Sequence, residues 1–567
     1  MYREVNVHSR QTTTGAARLD PVKPGRQAES AYGQILRSSF LMGGSSLLVV
    51  LISLIRIKGI ALMAGPAGIG LWGIYLSIVD LVQILAGLGI FSSGLRQVAA
   101  VAGDGNPRNL ARTVWVLRRA ALILGGLGTV FLAVMAGPIA RWTFGDESQA
   151  EPIMGLSLAI LLRIMAEAQT SLLQGLRRVD ELARMTIVVA VLNTFSSLAW
   201  IQARGVAGIV PALVTLAALN LLVSVWYGRS IRLPRVSVGP VRIRREITGL
   251  LGLGPAFLAS GLMVMGTAYL IRLMILNRLD QQAVGLYQAA FALGWLYVSL
   301  VLQALGSDFY PRLTAVANDF AACNRMVNQQ IRIGLLLAVP GVLATLLLAP
   351  GVIEIFYSQE FRASVELLRW LCLAMSFRVV SWPMMFILLA QGSRIHFFWS
   401  EAVFTLLCLG LTWLGLLQFG LNGAGMALFV AQLSHSLLMY AIVHRLCDFR
   451  LTGENLQLAG LGAGTVGLVF AGFHLVDETL AWGGGFVGLM ASLFFVAHHL
   501  LDLIPPRLIP YPLVWLLTRQ SCSVVYDRRA WRLGMLTVLG LWGFWYEEAY
   551  GWKSGFSHFV NFPGVTP

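Results

Sequence analysis

The chain has 567 residues, of which 57% are hydrophobic and only 12% charged, and its mean hydropathy is +0.72. Soluble domains carry about a quarter charged residues, so this length is not a string of soluble domains. The formal net charge of +15 would point to nucleic acid in a soluble protein, but here the basic residues sit in short loops between apolar runs, where topology accounts for them.

Residues 1–36 are polar, carry Pro21, Pro24 and Gly25, and contain no apolar stretch. They read as a disordered cytoplasmic tail, not as a signal peptide. Apolar runs of about 20 residues follow, long enough to cross hydrocarbon. The runs are continuous rather than alternating, which selects helices over barrel strands. Twelve core spans are expected near 38–61, 71–95, 114–136, 152–174, 183–203, 206–227, 250–275, 285–306, 331–349, 366–390, 397–418 and 422–443. Spans 13 and 14 follow near 457–475 and 482–501. The last stretch holds Pro505, Pro506, Pro510 and Pro512, then Trp531, Trp542, Trp545 and Tyr546, and reads as an interfacial aromatic tail. The expected fold is an all-α polytopic membrane protein of two six-helix lobes related by a pseudo-two-fold, with two extra C-terminal helices. Its parts are the tail 1–36, an N-lobe 37–228, a basic cytoplasmic linker 229–248, a C-lobe 249–446, spans 13–14 within 447–502, and the aromatic tail 503–567.

Loops after the even-numbered spans carry the arginines, such as Arg108, Arg112, Arg118 and Arg119, or Arg229, Arg232, Arg235, Arg242, Arg244 and Arg245 in the linker. The opposite loops carry acids: Asp146, Glu147 and Glu151, then Glu354, Glu360 and Glu366, then Asp477 and Glu478. The positive-inside rule therefore places the N-terminus and the linker in the cytoplasm.

The halves overlay at an offset of about 215 residues. Residues 70–104 match 285–319 without a gap, with nine identities that include Gly70, Leu71, Leu81, Ser92 and Asp104. Leu54-Ile55-Arg56 matches Leu270-Ile271-Arg272, Arg163 falls on Arg378, Gln174-Gly175-x-Arg177 on Gln391-Gly392-x-Arg394, and Gly205-x-x-Gly208 on Gly420-x-x-Gly423. Six spans per half is an even number, so both halves insert the same way round and the pseudo-two-fold axis runs along the membrane normal. Such a pair encloses a cavity that rocking opens to alternate sides.

A charge in the hydrocarbon costs at least about 2.5–3.5 kcal/mol and is a site hypothesis by default. Arg163 and Arg378 lie mid-span; Arg56, Lys58 and Arg272 lie in the outer third of theirs, where snorkelling is the competing reading. Asp80, Glu167, Glu401 and His435 are the other ionisable groups within spans and the candidates for ion coupling. Arg163 and Glu167 are spaced i, i+4, so a self-neutralising pair on one helix face is an alternative role for both. His435 matches Asn220 in the repeat, which favours polar packing. The recurring charges are cations, and arginine grips phosphate oxygens with a planar fork of donors. A cavity walled by Arg56, Lys58, Arg163, Arg272 and Arg378 implies an anion, a phosphate or pyrophosphate. The five cysteines are scattered, with no zinc or disulfide pattern. The short external loops hold no nucleophile–base arrangement, so no catalytic residue, metal or cofactor is expected.

Several stretches resemble the Wzx-type polysaccharide flippases, whose superfamily also holds lipid II flippases and multidrug and toxin extrusion antiporters. They are Ile57–Ala61 with Gly65–Gly70, Ala86–Ile90, Phe356–Phe361 with Leu367-Leu368-Arg369, and Gly420–Gly425, within a region of about 38–445. The resemblance implies a bacterial inner-membrane flippase for undecaprenyl-pyrophosphate-linked oligosaccharide, serving O-antigen, capsule or exopolysaccharide assembly. It implies proton or sodium coupling, contact with membrane lipids, and work beside a polysaccharide polymerase and chain-length machinery, without nucleic acid. An antiporter of the multidrug type and a lipid II-type flippase are the alternatives. The antiporter should ring an N-lobe pocket with carboxylates, and Asp80 is the only deep acid that stands alone.

Overall fold

The computed structural model describes residues 24–503, except 105, 232, 235 and 237–253. Sixteen α-helices and no strand occur among the described residues. In the first half these are α1 (Pro24–Gly87), α2 (Ile90–Gly103), α3 (Pro107–Val134), α4 (Ala136–Phe144), α5 (Ala150–Gly175), α6 (Val179–Arg204) and α7 (Ile209–Gly228). The second half has α8 (Gly254–Arg278), α9 (Gln281–Ala315), α10 (Phe320–Leu347), α11 (Ala349–Phe356), α12 (Val365–Ala390), α13 (Arg394–Phe419) and α14 (Leu421–Cys447), and α15 (Gly453–Leu475) and α16 (Glu478–Leu503) complete the set.

Twelve segments are long and apolar enough to cross a membrane, and two of them are double length. Gly44–Gly87 would run about 66 Å as one straight helix, twice the hydrocarbon thickness. Gly65 breaks it with φ 63° and ψ −172°, just before Pro66, so α1 holds spans 1 and 2. Val179–Gly228 is likewise divided by the 3-10 turn Gly205–Gly208. Counting each as two spans gives the fourteen expected crossings. The short helices α4 and α11 were not foreseen: each follows a one-residue break, at Met135 and Leu348, and runs on from where spans 3 and 9 are expected to end. Helix α1 starts at Pro24, so residues 24–36 are helical and continuous with span 1, where a disordered tail is expected. Most of the linker and the aromatic tail lie outside the described residues.

The element order repeats, with α8 and α9 standing for the two spans of α1, and α10 to α14 standing for α3 to α7. Matched turns share their backbone. Gly205 has φ 57° and ψ −137°, and Gly420 has φ 57° and ψ −140°. Only glycine enters this region freely, which explains why both halves use it. The turn between spans 4 and 5 corrects the expected register. Arg177 (φ 54°) occupies the place of Gly392 (φ 68°), and Arg178 N–H donates to Leu173 O at 3.0 Å as Ser393 N–H does to Leu388 O at 2.9 Å. The offset here is 215 throughout, so the Gln-Gly-x-Arg match two residues further on is a chance likeness.

The lobes meet at the end that carries α4, α11 and the acidic loops, called here the acidic end. Gly70 and Gly285 are symmetry mates, and each backbone lies against the other's turn: a Cβ on Gly285 would strike the Pro66 carbonyl, and one on Gly70 the Gln281 carbonyl. The Gln281 side chain also donates to Ala67 O at 2.9 Å. Small residues that let helix backbones touch are the usual seam of membrane helices. Helices α15 and α16 sit on the flank of the C-lobe. Trp370 of α12 packs on Phe470 at 4.6 Å, Arg369 lies over the Phe473 ring at 3.7 Å, and His474 Nε2 is 2.7 Å from Glu366 Oε1. At the other end of α15, Asn455 donates to Asn328 O at 2.8 Å. The extra pair is thus fastened to the C-lobe at both ends.

Candidate functional site

Ten residues past the Gly70·Gly285 contact, about 15 Å along each helix, stand Asp80 on α1 and its symmetry mate Trp295 on α9. Each meets the matched arginine of its own lobe. Arg163 of α5 forms an ion pair with Asp80 at 2.7 Å, with the side chains 28% and 25% exposed. Arg378 of α12 lies over the Trp295 ring, 5.8 Å from its centre. Its Nε is buried without a partner, and its guanidinium has no hydrogen bond or ion pair within 4 Å among the described residues. One scaffold position therefore neutralises its arginine with a carboxylate in the N-lobe and offers only an indole face in the C-lobe. A cation over a ring gains about 0.5–2 kcal/mol, well short of compensating a charge in hydrocarbon.

Glu167 does not pair with Arg163, although their spacing allowed it. Gln83 of α1 donates to Glu167 Oε1 at 2.5 Å instead. The long-range contact with α1 claims both side chains, so the self-neutralising pair is replaced by two cross-helix contacts. Arg272 of α8 is held by neutral groups: Nε and one terminal nitrogen donate to Gln288 Oε1 at 3.0 and 2.6 Å, and the other donates to Ala268 O at 2.8 Å. Gly73, the symmetry mate of Gln288, leaves room for this clamp at the lobe seam: a Cβ there would lie 3.2 Å from Gln288 Oε1. Asp80 also acts electrostatically on Arg272. Asp80, Arg163, Glu167 and Arg272 thus form one charged group around spans 2, 4 and 7.

In the C-lobe, Glu401 lies within electrostatic range of Arg378 but beyond ion-pair distance. His435, 1% exposed, has its Nε2 3.9 Å from Glu401 Oε1 and its ring against Phe404. Both of its ring nitrogens lack hydrogen-bond partners, so it is a core histidine without the hydrogen bonds expected of one. Arg378, Glu401 and His435 form the second group. Arg56 joins neither, and its buried Nε has no partner.

Lys58 is engaged elsewhere. Its ammonium donates to Glu354 O at 3.1 Å and Ile355 O at 2.6 Å, capping the C-terminal carbonyls of α11 across the lobe boundary. A cation at a helix C-terminus contributes about 0.3–1 kcal/mol. Lys58→Met is expected to cost stability of that order and to loosen α11, read as faster amide hydrogen exchange across 349–356. Unchanged exchange there would remove the cap argument.

Gln83, Gln288 and Trp295 escape a search for charges because they carry none. The ungapped match of 70–104 with 285–319 did hold the signal, since it already sets Asp80 on Trp295 and Gly73 on Gln288.

Known proteins agree with this architecture. The chain is 23% identical over 391 residues to the lipid III flippase of Escherichia coli strain K12, which covers 67% of this chain and 91% of that protein. Among solved structures, the lipid II flippase MurJ in an inward closed conformation superposes with a TM-score of 0.63 at 11% identity, covering 83% of this chain and all of that one. An inward-facing multidrug resistance MATE family transporter of the MOP superfamily gives 0.55 at 16% identity, covering 70% of this chain and 96% of that one. These likenesses fix the fold as that of a multi-pass membrane transporter. The family model for polysaccharide biosynthesis proteins matches residues 61–366, more than half of the chain and across both lobes. The chain belongs to the polysaccharide biosynthesis protein family.

Proposed function

We propose that this protein is a flippase that moves undecaprenyl-pyrophosphate-linked oligosaccharide across the bacterial inner membrane by alternating access. The basic loops and the N-terminus face the cytoplasm, and the acidic end faces the periplasm. The observation that carries the reading is Arg378, a half-buried guanidinium with an aromatic face beside it and no carboxylate on it. Such a group is complementary to a multivalent oxyanion, whose pyrophosphate oxygens accept from the free fork of donors. Arg163, held by Asp80, occupies the matched position of the other lobe, and Arg272 stands closer to the acidic end. The anion binds at Arg378, gains from Arg163 and Arg272 as the lobes rock, and leaves at the periplasmic side. Lys58 serves closure of the acidic end in place of substrate binding.

Glu167, Asp80, Glu401 and His435 are the ion-coupling candidates. Of these, Glu401 with His435 stands nearest Arg378, so its protonation would change the field on the anion directly. The antiporter reading needs a free carboxylate in the N-lobe; the Asp80–Arg163 pair neutralises one acid, and Gln83 holds the other, Glu167. Partnership with a polymerase and chain-length machinery follows from the proposed pathway step alone.

The test is a deletion strain. Undecaprenyl-linked repeat units should accumulate on the cytoplasmic leaflet, where an added membrane-impermeant glycosidase reaches them only in inside-out vesicles. Wild-type gene supplied in trans should clear them. Normal surface polysaccharide together with raised drug sensitivity in the deletion strain would favour the antiporter.

A further inference from the structure

His474 stands in the last turn of α15, at the acidic end, and both of its ring nitrogens are engaged. Nδ1 lies 3.0 Å from the Phe470 carbonyl, one turn back on its own helix. A carbonyl only accepts, so Nδ1 carries a hydrogen. Nε2 lies 2.7 Å from Glu366 Oε1 of α12. A neutral imidazole with its hydrogen on Nδ1 has a lone pair on Nε2, and at that distance the lone pair would face a carboxylate oxygen. The contact therefore holds one proton more than a neutral histidine beside an ionised glutamate. The other carboxylate oxygen lies 3.6 Å from Arg369 Nη1, which favours the ionised glutamate and places the proton on the imidazole.

Helix α15 packs on α10, α12 and α16. The charged groups these bring to its outer end are Glu366 and Arg369 of α12, with Asp477 and Glu478 where α16 begins; Glu478 acts electrostatically on Arg369. The outer half of α10, residues 333–347, contains no ionisable residue. Two other contacts of α15 do not titrate. Its inner end is held by the neutral amides of Asn455 and Asn328, and Phe470 packs on Trp370. The His474 and Glu366 side chains are 38% and 28% exposed, open enough to exchange a proton with solution.

We propose that His474 and Glu366 form a proton-operated clasp, in which a proton from the compartment at the acidic end fastens the outer end of α15 to α12. The clasp is closed while His474 holds its proton. It opens as the pH rises and the proton leaves, because a lone pair then meets the carboxylate, while the Asn455–Asn328 contact keeps the inner end in place. Glu366 lies in the first turn of α12, and Arg378 lies about 18 Å further along the same helix. The clasp thus decides whether the helix that presents Arg378 is braced at its outer end by α15. It goes beyond the flippase reading and does not depend on it.

The test uses the full chain in detergent, with spin labels at Ala363 and Leu475, two exposed positions that flank the contact. In the wild type the distance should be short and narrow at about pH 5.5 and longer and broader at about pH 8.5, below and above the ordinary histidine value of about 6.5. Glu366→Gln should stay short at both, since its amide donates to the Nε2 lone pair that deprotonation leaves. His474→Gln should also stay short at both, since its amide donates to Glu366 without titrating. His474→Ala should be long at both. A wild-type distance that ignores pH overturns the inference. So does lengthening at high pH in either glutamine variant, since another group then titrates, or a short distance in His474→Ala, since packing alone then holds the helix.

Discussion

Replacing Arg378 with methionine is expected to abolish transport and at the same time to make the folded protein more stable. The two effects share one cause. Arg378 carries a charge in the span region with no acid on it and a buried Nε without a partner, and a charge at that depth costs at least about 2.5–3.5 kcal/mol. Methionine keeps much of the volume and removes the cost, so the thermal midpoint in detergent should rise. Transport loses the fork that grips the anion. Hydrogen bonds to charged groups contribute about 1.5–3 kcal/mol each, so binding should weaken about ten- to a hundredfold per bond lost. Arg378→Lys keeps the charge without the planar fork and should fall between. Arg163→Met is the control of opposite sign: it strands Asp80 without its ion pair, and removing one partner of such a pair destabilises. A fall in thermal stability for Arg378→Met, alongside retained transport, would sink the assignment of Arg378 to the substrate.

Gly285→Val is expected to lock the acidic end open. The added carbons fall on the backbone of Pro66, with Gly70 N only 3.0 Å away, and no side chain there can rotate aside. The lobes must part to admit them. Transport should stop even though no charged residue has changed. Spin labels at Glu147 and Glu360, one in each lobe's acidic loop, should report a longer distance in the variant than in the wild type. If the distance distribution is unchanged and transport persists, the glycine contact is not the closing surface. The mirror substitution Gly70→Val should act alike, because its Cβ meets the Gln281 carbonyl in the same way.

Much of this was legible in the sequence because lipid imposes it. Each span had to be a continuous apolar helix, and each reversal of the chain needed a glycine or a polar turn, so the fourteen crossings and the repeat appear in the order of residues. Short helices such as α4 were hidden, since a one-residue break in an apolar run leaves no mark in composition. The site was legible in its arginines, and illegible in their partners. Nothing local says that Arg163 turns to Asp80, 83 positions earlier, when Glu167 is one helical turn away; that choice is made by the packing of α1 on α5. Trp295 could be read only by carrying the repeat past the identical positions and asking what replaced the acid. Arg177 shows the opposite failure. The Gln-Gly-x-Arg likeness suggested a register, but the turn is set by which residue takes the left-handed conformation, and an arginine holds that place at a cost of about 1–2 kcal/mol.

Gly70 touches the turn of Gly285 as Gly285 touches that of Gly70, so the surface is complementary to a copy of itself. That is the form of an isologous interface in a two-fold homodimer. Within a single polypeptide the two copies need not be identical, so the rest of each is free to differ from its twin. Aspartate and tryptophan at one equivalent position are the outcome: a shared joint, and two walls that have specialised apart.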